Sequence, residues 1–112
     1  MINQTLAEYA KASQRTWRAP LRGTVEGRTY LLLGLAAEAG EVLDIAAKEI
    51  RDGLPAEQVK ERMRGELGDA LWFVAQLAAE YDLTLEEVAA ANIEKLADRD
   101  RRGVLKGAGD YR

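Results

Sequence analysis

The sequence contains no cysteine and no histidine among its 112 residues. This absence excludes disulfides, thiolate zinc sites, cysteine nucleophiles and every mechanism that needs an imidazole base. Serine occurs once, as Ser13, and no histidine is present to activate it, so the usual serine hydrolase triad is also excluded. Any chemistry of this chain must therefore come from carboxylates, amines, guanidinium groups and bound metal ions.

Long apolar runs and strand-forming residues are scarce as well. The longest apolar run, residues 31–37, is far shorter than the roughly 20 residues that cross a bilayer, and no signal peptide is visible. We therefore expect a cytoplasmic protein with no membrane association. Ala and Leu number 34 against 15 for Ile, Val and Thr, which favours an all-α fold. The length predicts a single domain over residues 1–112, and so small a core predicts a homo-oligomer.

Charge is unevenly distributed along the chain. The net charge of −3 argues against general binding of nucleic acid or anionic membranes. Residues 31–94 carry a net charge of −9, whereas residues 1–30 and 95–112 carry +3 each. An acidic middle between basic ends is compatible with a cation site beside an anion site. Ordinary solvated helix surfaces are the alternative interpretation.

Apolar periodicity and helix-capping signals predict four helices. The first stops before Pro20, the second ends at Gly53, and Thr84 with Glu87 forms a capping box that opens the fourth. Residues 21–27 are predicted to form a loop, and residues 103–112 a glycine-containing tail. The predicted helices are residues 5–18, 29–52, 55–81 and 84–102.

An acidic residue interrupts the apolar stripe of each of the two long helices, and a second acid follows it three residues later. Glu38 is followed by Glu41, and Glu66 by Asp69. Residues three apart lie on neighbouring parts of one helix face. The stripe residues, spaced by three and four, are Leu31, Leu35, Glu38, Val42 and Ile45 in the second helix, and Val59, Met63, Glu66, Ala70, Phe73 and Leu77 in the third.

Four carboxylates facing one interior would repel each other strongly unless a cation lay between them. Oxygen-only ligation suits Mg²⁺ or Mn²⁺, and the lack of His and Cys argues against zinc. Di-iron bundles need a Glu-x-x-His repeat, which this chain cannot supply. A Glu-x-x-Glu pair is often merely solvated. The apolar residues one turn away on both sides of Glu38 and Glu66 favour the metal site here.

One face of the fourth helix is apolar near its start and carries amide and cationic side chains towards its end. Lys95 and Arg99 on this face are natural phosphate contacts, and Lys48 lies on the same face as Glu41. Basic groups also favour the last turn of any helix, and this second explanation stays open. Trp17 and Trp72 either stack on a base or pack in the core. The face consists of Leu85, Val88, Asn92, Lys95 and Arg99.

Taken together, these motifs resemble those of the MazG-like all-α nucleoside triphosphate pyrophosphohydrolases. The resemblance rests on Glu38-Ala-Gly-Glu41, then 24 residues, then Glu66-Leu-Gly-Asp69, and on the segment Asn92-Ile-Glu-Lys95. It covers nearly the whole chain, including its closing residues 109–112. It implies a four-helix fold whose helices pair into a bundle in a homodimer or tetramer.

The resemblance also implies an activity and a set of roles. The activity is Mg²⁺-dependent cleavage of a nucleoside triphosphate between its α- and β-phosphates, which releases a nucleoside monophosphate and pyrophosphate. One of the carboxylates, with Glu38 and Glu41 the first candidates, would accept a proton from the attacking water. The implied metal ligands are Glu38, Glu41, Glu66 and Asp69, and the implied triphosphate contacts are Lys48, Asn92, Lys95 and Arg99.

Three other functions are compatible with parts of this pattern. Phosphoribosyl-ATP pyrophosphohydrolases have related acidic motifs. A helical oligomerisation module with a decayed site should have lost an acid or the lysine, and none is missing here. A nucleic-acid binder using the two basic ends is disfavoured by the acidic middle and by only seven aromatic residues.

Overall fold

The computed structural model describes residues 3–18 and 20–110, and over these ranges the chain contains helices and no strand. This confirms the all-α prediction. Position 19 and the last two residues of the predicted tail lie outside the described residues. The helices are α1 (Leu6–Ser13), α2 (Val25–Asp52), α3 (Ala56–Glu80) and α4 (Leu85–Arg101), with a short 3₁₀ turn at Gln14–Thr16.

The two long helices α2 and α3 form a hairpin with the largest interface of the fold. A three-residue connection joins them, so they run antiparallel. Gly34 of α2 packs directly against Phe73 of α3. A Cβ built at Gly34 would lie 2.1 Å from Phe73 Cε1, closer than any real contact, so this approach requires glycine. The contact fixes the register of the two helices one turn away from Glu38.

The predicted apolar stripe of α2 faces this interface. Leu31 and Ile45 are buried, and Leu35 and Val42 are partly buried. All five apolar positions of the α3 stripe are likewise partly buried. The inner faces of both helices are therefore those that the spacing predicts.

The shorter helices α1 and α4 pack together at the far end of α3. Ala75 and Ala78 of α3 and Leu85 of α4 form the buried cluster there, with Tyr9 and Ala10 of α1 against it. Capping boxes begin both short helices, Thr5 with Glu8 and Thr84 with Glu87. The predicted bounds of α3 and α4 are correct to within one residue.

The predicted start of α2 was wrong by four residues. The helix begins at Val25 because the Thr24 hydroxyl accepts a hydrogen bond from the Gly27 amide at 2.9 Å and so caps the first turn. Gly27 lies against the Leu21 carbonyl, where a Cβ would not fit. Positions 25–27, predicted as loop, are therefore helical.

The predicted end of α1 was also wrong. The α-helix stops at Ser13 rather than Arg18, and one 3₁₀ turn follows. The carbonyl of Ser13 accepts a hydrogen bond from the Trp72 indole at 3.1 Å, and the Trp17 amide bonds to Gln14 instead. The Thr16 hydroxyl also donates to the Ser13 carbonyl at 3.1 Å, so two side chains occupy the acceptor that would have continued the helix. Across the described residues, no helix combines the length and the apolar character needed to cross a membrane.

Candidate metal centre

Three of the four predicted ligands converge between α2 and α3. Glu38 comes from α2, and Glu66 and Asp69 come from successive turns of α3. One carboxylate oxygen from each lies within 4.8 Å of the others. The antiparallel register set near Gly34 and Phe73 brings residue 38 opposite residue 69, which is why the two separate motifs meet.

Glu38 lies among other acids, and one of its oxygens has no donor. Glu38 Oε2 is buried and has no hydrogen-bond partner. Burial raises the pKa of Glu38, and a hydrogen bond shared with Glu66 and the charges of Asp69, Glu66 and Glu41 raise it further. An orphaned oxygen among like charges fits a divalent ion, and carboxylate oxygens are the ligands that Mg²⁺ and Mn²⁺ prefer.

The fourth predicted ligand, Glu41, lies at the edge of this cluster. It is exposed and is not one of the three residues whose oxygens converge. Its charge nevertheless contributes to the raised pKa of Glu38, so the two carboxylates are electrostatic neighbours. A metal-ligating or catalytic role for Glu41 stays a prediction.

The predicted phosphate contacts do not meet the carboxylates in this structure. Lys48 pairs with Asp44 at 2.7 Å on the surface of α2, and Asn92 is exposed on α4. Lys95 and Arg99 both bind Asp110 of the C-terminal tail. Within the described ranges, none of the four predicted contacts forms an ion pair or hydrogen bond with the three clustered acids. Their approach to substrate stays a prediction.

The two tryptophans, by contrast, are part of the packing. Trp17 is buried and stacks on Tyr30, with ring centroids 5.9 Å apart. Trp72 packs edge-on against Trp17 and Phe73, and its indole N–H donates to Thr16 Oγ1 at 2.7 Å. These contacts favour the packing interpretation over base stacking for both side chains.

Two carboxylates with several partners were missed from the sequence. Glu80, at the end of α3, accepts hydrogen bonds from the Gly23 amide at 3.0 Å and from the Trp17 indole at 3.4 Å. Asp110 binds Lys95 and Arg99. Only the position of Glu80 in the apolar last turns of α3 hinted at its burial, and the aperiodic tail offered no signal for Asp110.

The sequence of this chain matches a known protein family. Residues 26–104 match the family model of the MazG nucleotide pyrophosphohydrolase domain. The chain belongs to the MazG family. It is also 41% identical over 91 residues to the "Gene 37 protein" of Mycobacterium phage L5, and the match covers 80% of each chain. No solved structure matches.

Membership of the MazG family suggests nucleotide pyrophosphohydrolase activity. The matched range contains all eight predicted site residues, from Glu38 to Arg99. Helix α1 and Asp110 lie outside it. The acidic cluster thus lies within the matched range, whereas the contact between Arg99 and Asp110 joins that range to a residue beyond it.

Proposed function

We propose that this MazG-family protein hydrolyses nucleoside triphosphates between the α- and β-phosphates, with Mg²⁺ or Mn²⁺ as cofactor, to yield a nucleoside monophosphate and pyrophosphate. The observation that carries the proposal is the convergence of Glu38, Glu66 and Asp69, with Glu38 Oε2 buried and unpaired. Such an arrangement is costly unless it binds a cation, and a cation beside carboxylates is suited to phosphate chemistry. We place the protein in the cytoplasm, where nucleoside triphosphates are available.

Each predicted residue has a defined part in this proposal. Glu38, Glu66 and Asp69, joined by Glu41, hold the metal. The ion, when bound, neutralises phosphate oxygens and acidifies water. Either Glu38 or Glu41 accepts the proton of the attacking water at a carboxylate oxygen.

The amide and cationic side chains bind the triphosphate and stabilise the charge of the departing pyrophosphate. Lys48, Asn92 and Lys95 are at least partly exposed and can contact phosphate directly. Arg99, also predicted as a contact, is buried, and its contribution is indirect.

The outer face of α2 supports self-association. Its apolar residues recur at intervals of four and three, the spacing at which one helix packs against another in a bundle, and all are exposed. Leu43 is 71% exposed and Ile50 is 88% exposed. We propose that a second copy of this chain covers this stripe in a homodimer or a tetramer. The stripe consists of Leu32, Ala36, Ala39, Leu43, Ala46 and Ile50.

The proposed role of this stripe in self-association is tested by measuring the oligomeric state in solution. Sedimentation of the wild-type protein should give a dimer or tetramer, and Leu43→Lys should shift it to the monomer. Lys60→Leu, an exposed change of similar size on α3, is not expected to dissociate the assembly. A monomeric wild type at micromolar concentration would reject the proposed assembly.

The activity is tested by a pyrophosphate-release screen over canonical and modified (deoxy)nucleoside triphosphates with Mg²⁺ and with Mn²⁺. We expect release from at least one triphosphate and none after chelation of the metal. Phosphoribosyl-ATP belongs in the same screen, because turnover of that substrate alone would favour the related enzyme class. If nothing is hydrolysed and calorimetry detects no binding of Mg²⁺ or Mn²⁺, the chain is a helical module without catalysis.

A further inference from the structure

The C-terminal tail folds back onto the end of α4. The Val104 amide donates to the Arg99 carbonyl at 2.9 Å, which closes the helix. Gly109 has a φ of +86°, a conformation that glycine adopts readily and other residues rarely do. The chain thereby returns to α4 and places Asp110 beside the cationic face of that helix.

Asp110 bridges the two cations of this face. Lys95 Nζ donates to Asp110 Oδ1 at 3.0 Å. Arg99 Nη2 donates to the main-chain oxygen of Asp110 at 2.7 Å and to the same Oδ1 at 3.2 Å. A single carboxylate oxygen therefore lies between an ammonium and a guanidinium that would otherwise repel each other.

The two cations differ in their exposure, and this difference separates their roles. The Arg99 side chain is only 5% exposed, whereas that of Lys95 is 40% exposed. Because the Arg99 guanidinium is buried, the tail supplies its hydrogen bonds and its counter-charge. Lys95 has three donors, and the bond to Asp110 uses one of them. The ammonium therefore retains donors for a second anion.

We infer that Asp110 is a positioning residue: it ties the tail to the buried Arg99 and holds the Lys95 ammonium in one place, ready for a triphosphate oxygen. Arg99 acts through the tail and does not touch the substrate. A lysine side chain is long and flexible and loses conformational entropy when a ligand immobilises it. A partner that already holds the ammonium reduces the entropy lost when the substrate binds. The inference rests on the proposed function, since that function assigns a phosphate to Lys95.

The kinetic test compares Asp110→Asn, Asp110→Glu and Asp100→Asn. Asp100 is a matched control, because it is exposed at the end of α4 and forms no ion pair with Lys95 or Arg99 among the described residues. We expect Asp110→Asn to raise KM for the triphosphate by about tenfold, because the substrate must then order a Lys95 side chain that no partner holds, with little change in kcat. Asp110→Glu should restore part of the loss, and Asp100→Asn should leave both constants unchanged.

A second measurement tests the anchoring of the tail and does not require catalytic activity. Trypsin cleavage after Lys106 should be faster in Asp110→Asn than in Asp110→Glu or Asp100→Asn, because the carboxylate no longer anchors the tail. An unchanged KM in Asp110→Asn would overturn the inference. A lower KM would overturn it too, because Asp110 would then compete with substrate for Lys95.

Failure of the proposed function is distinguishable from failure of this inference. If the wild-type protein hydrolyses no triphosphate, the proposed function is rejected before any variant is made. The phosphate contact assigned to Lys95 is then rejected with it. The trypsin comparison then tests only whether Asp110 anchors the tail. Equal cleavage rates in all three variants would reject this anchoring as well.

Discussion

One oxygen of Glu38 and the side chain of Glu80 are both buried, but in very different surroundings. Glu80 is 5% exposed and lies at the end of α3, where the Gly23 amide and the Trp17 indole donate to it and Arg28 lies 4.0 Å away. Glu38 lies in the middle of α2, its neighbours are other acids, and its Oε2 has no partner at all.

The contrast distinguishes a carboxylate whose hydrogen-bond donors are in place from one that has no donor for a buried oxygen, as the proposed metal site requires. A buried acceptor with its donors in place stabilises the parts that supply them, here the loop before α2 and the end of α3. A buried acceptor without donors destabilises the fold, and such exceptions in native proteins are expected at functional sites. Sequence position alone does not distinguish the two, since both are glutamates on long amphipathic helices.

The largest expected effect is the loss of catalysis on neutralising Glu38. Glu38→Gln, or equally Asp69→Asn, should reduce pyrophosphate release by roughly a thousandfold or more, because the charge that holds the metal is removed. The helical circular dichroism should stay close to that of the wild type. Glu57→Gln, which neutralises an exposed acid in the first turn of α3, serves as the control. Loss of helical structure in both site variants would show that these acids are structural.

The reciprocal change at Glu80 should affect stability and leave metal binding intact. Glu80→Ala removes the acceptor of two N–H donors, and we expect the free energy of unfolding to fall by about 2 kcal/mol. Urea denaturation measures this, with the exposed Glu94→Ala as the control. A variant as stable as the wild type would mean that water replaces the carboxylate, and the contrast with Glu38 would disappear.

Mg²⁺ should stabilise the wild-type protein against heat. A ligand that binds only the folded state at a hundred times its Kd adds about 2.7 kcal/mol, so the midpoint of thermal unfolding should rise. Glu66→Gln should lose most of this rise, and Glu80→Ala should retain it, starting from a lower midpoint. An equal rise in all three proteins would place the bound ion elsewhere.

The smallest expected effect is a pH dependence of the metal-free protein. Because burial and the neighbouring acids raise the pKa of Glu38 above its unfolded value, the folded state holds the proton more tightly. This contribution to stability is fully present below the ordinary carboxyl pKa and is lost as the pH rises through the raised pKa. Thermal unfolding across this range should show the decline in the wild type. Glu38→Gln should remove this decline. At pH values above the raised pKa, the metal-free variant should be more stable than the wild type.

The sequence predicted well what depends on local periodicity. The faces of α2 and α3 repeat every three to four residues, so the convergence of Glu38 with Glu66 and Asp69 follows from two helices that bury their apolar stripes together. The capping box at Thr84 similarly predicts the start of α4. These signals lie within a few residues of the feature they predict.

What the sequence did not predict depends on contacts between distant residues. Helix α1 stops at Ser13 because Trp72, 59 residues later, takes its carbonyl. The buried Arg99 is bonded to Asp110, which lies in a tail without periodicity. Nothing in the sequence therefore indicated that an aspartate of the chain itself binds the Lys95–Arg99 face.

The contact between Gly34 and Phe73 has a consequence for the proposed metal site. The phenyl ring occupies the space of a missing methyl group, and Glu38 follows one helical turn later. A larger residue at position 34 would wedge the hairpin open at this point and widen the gap that the acids must span. Cations are discriminated by the size of the cage that their oxygen ligands form, and a wider cage suits Ca²⁺ better than Mg²⁺. In the proposed metal site, the absence of a side chain at Gly34 would thus favour the smaller ion.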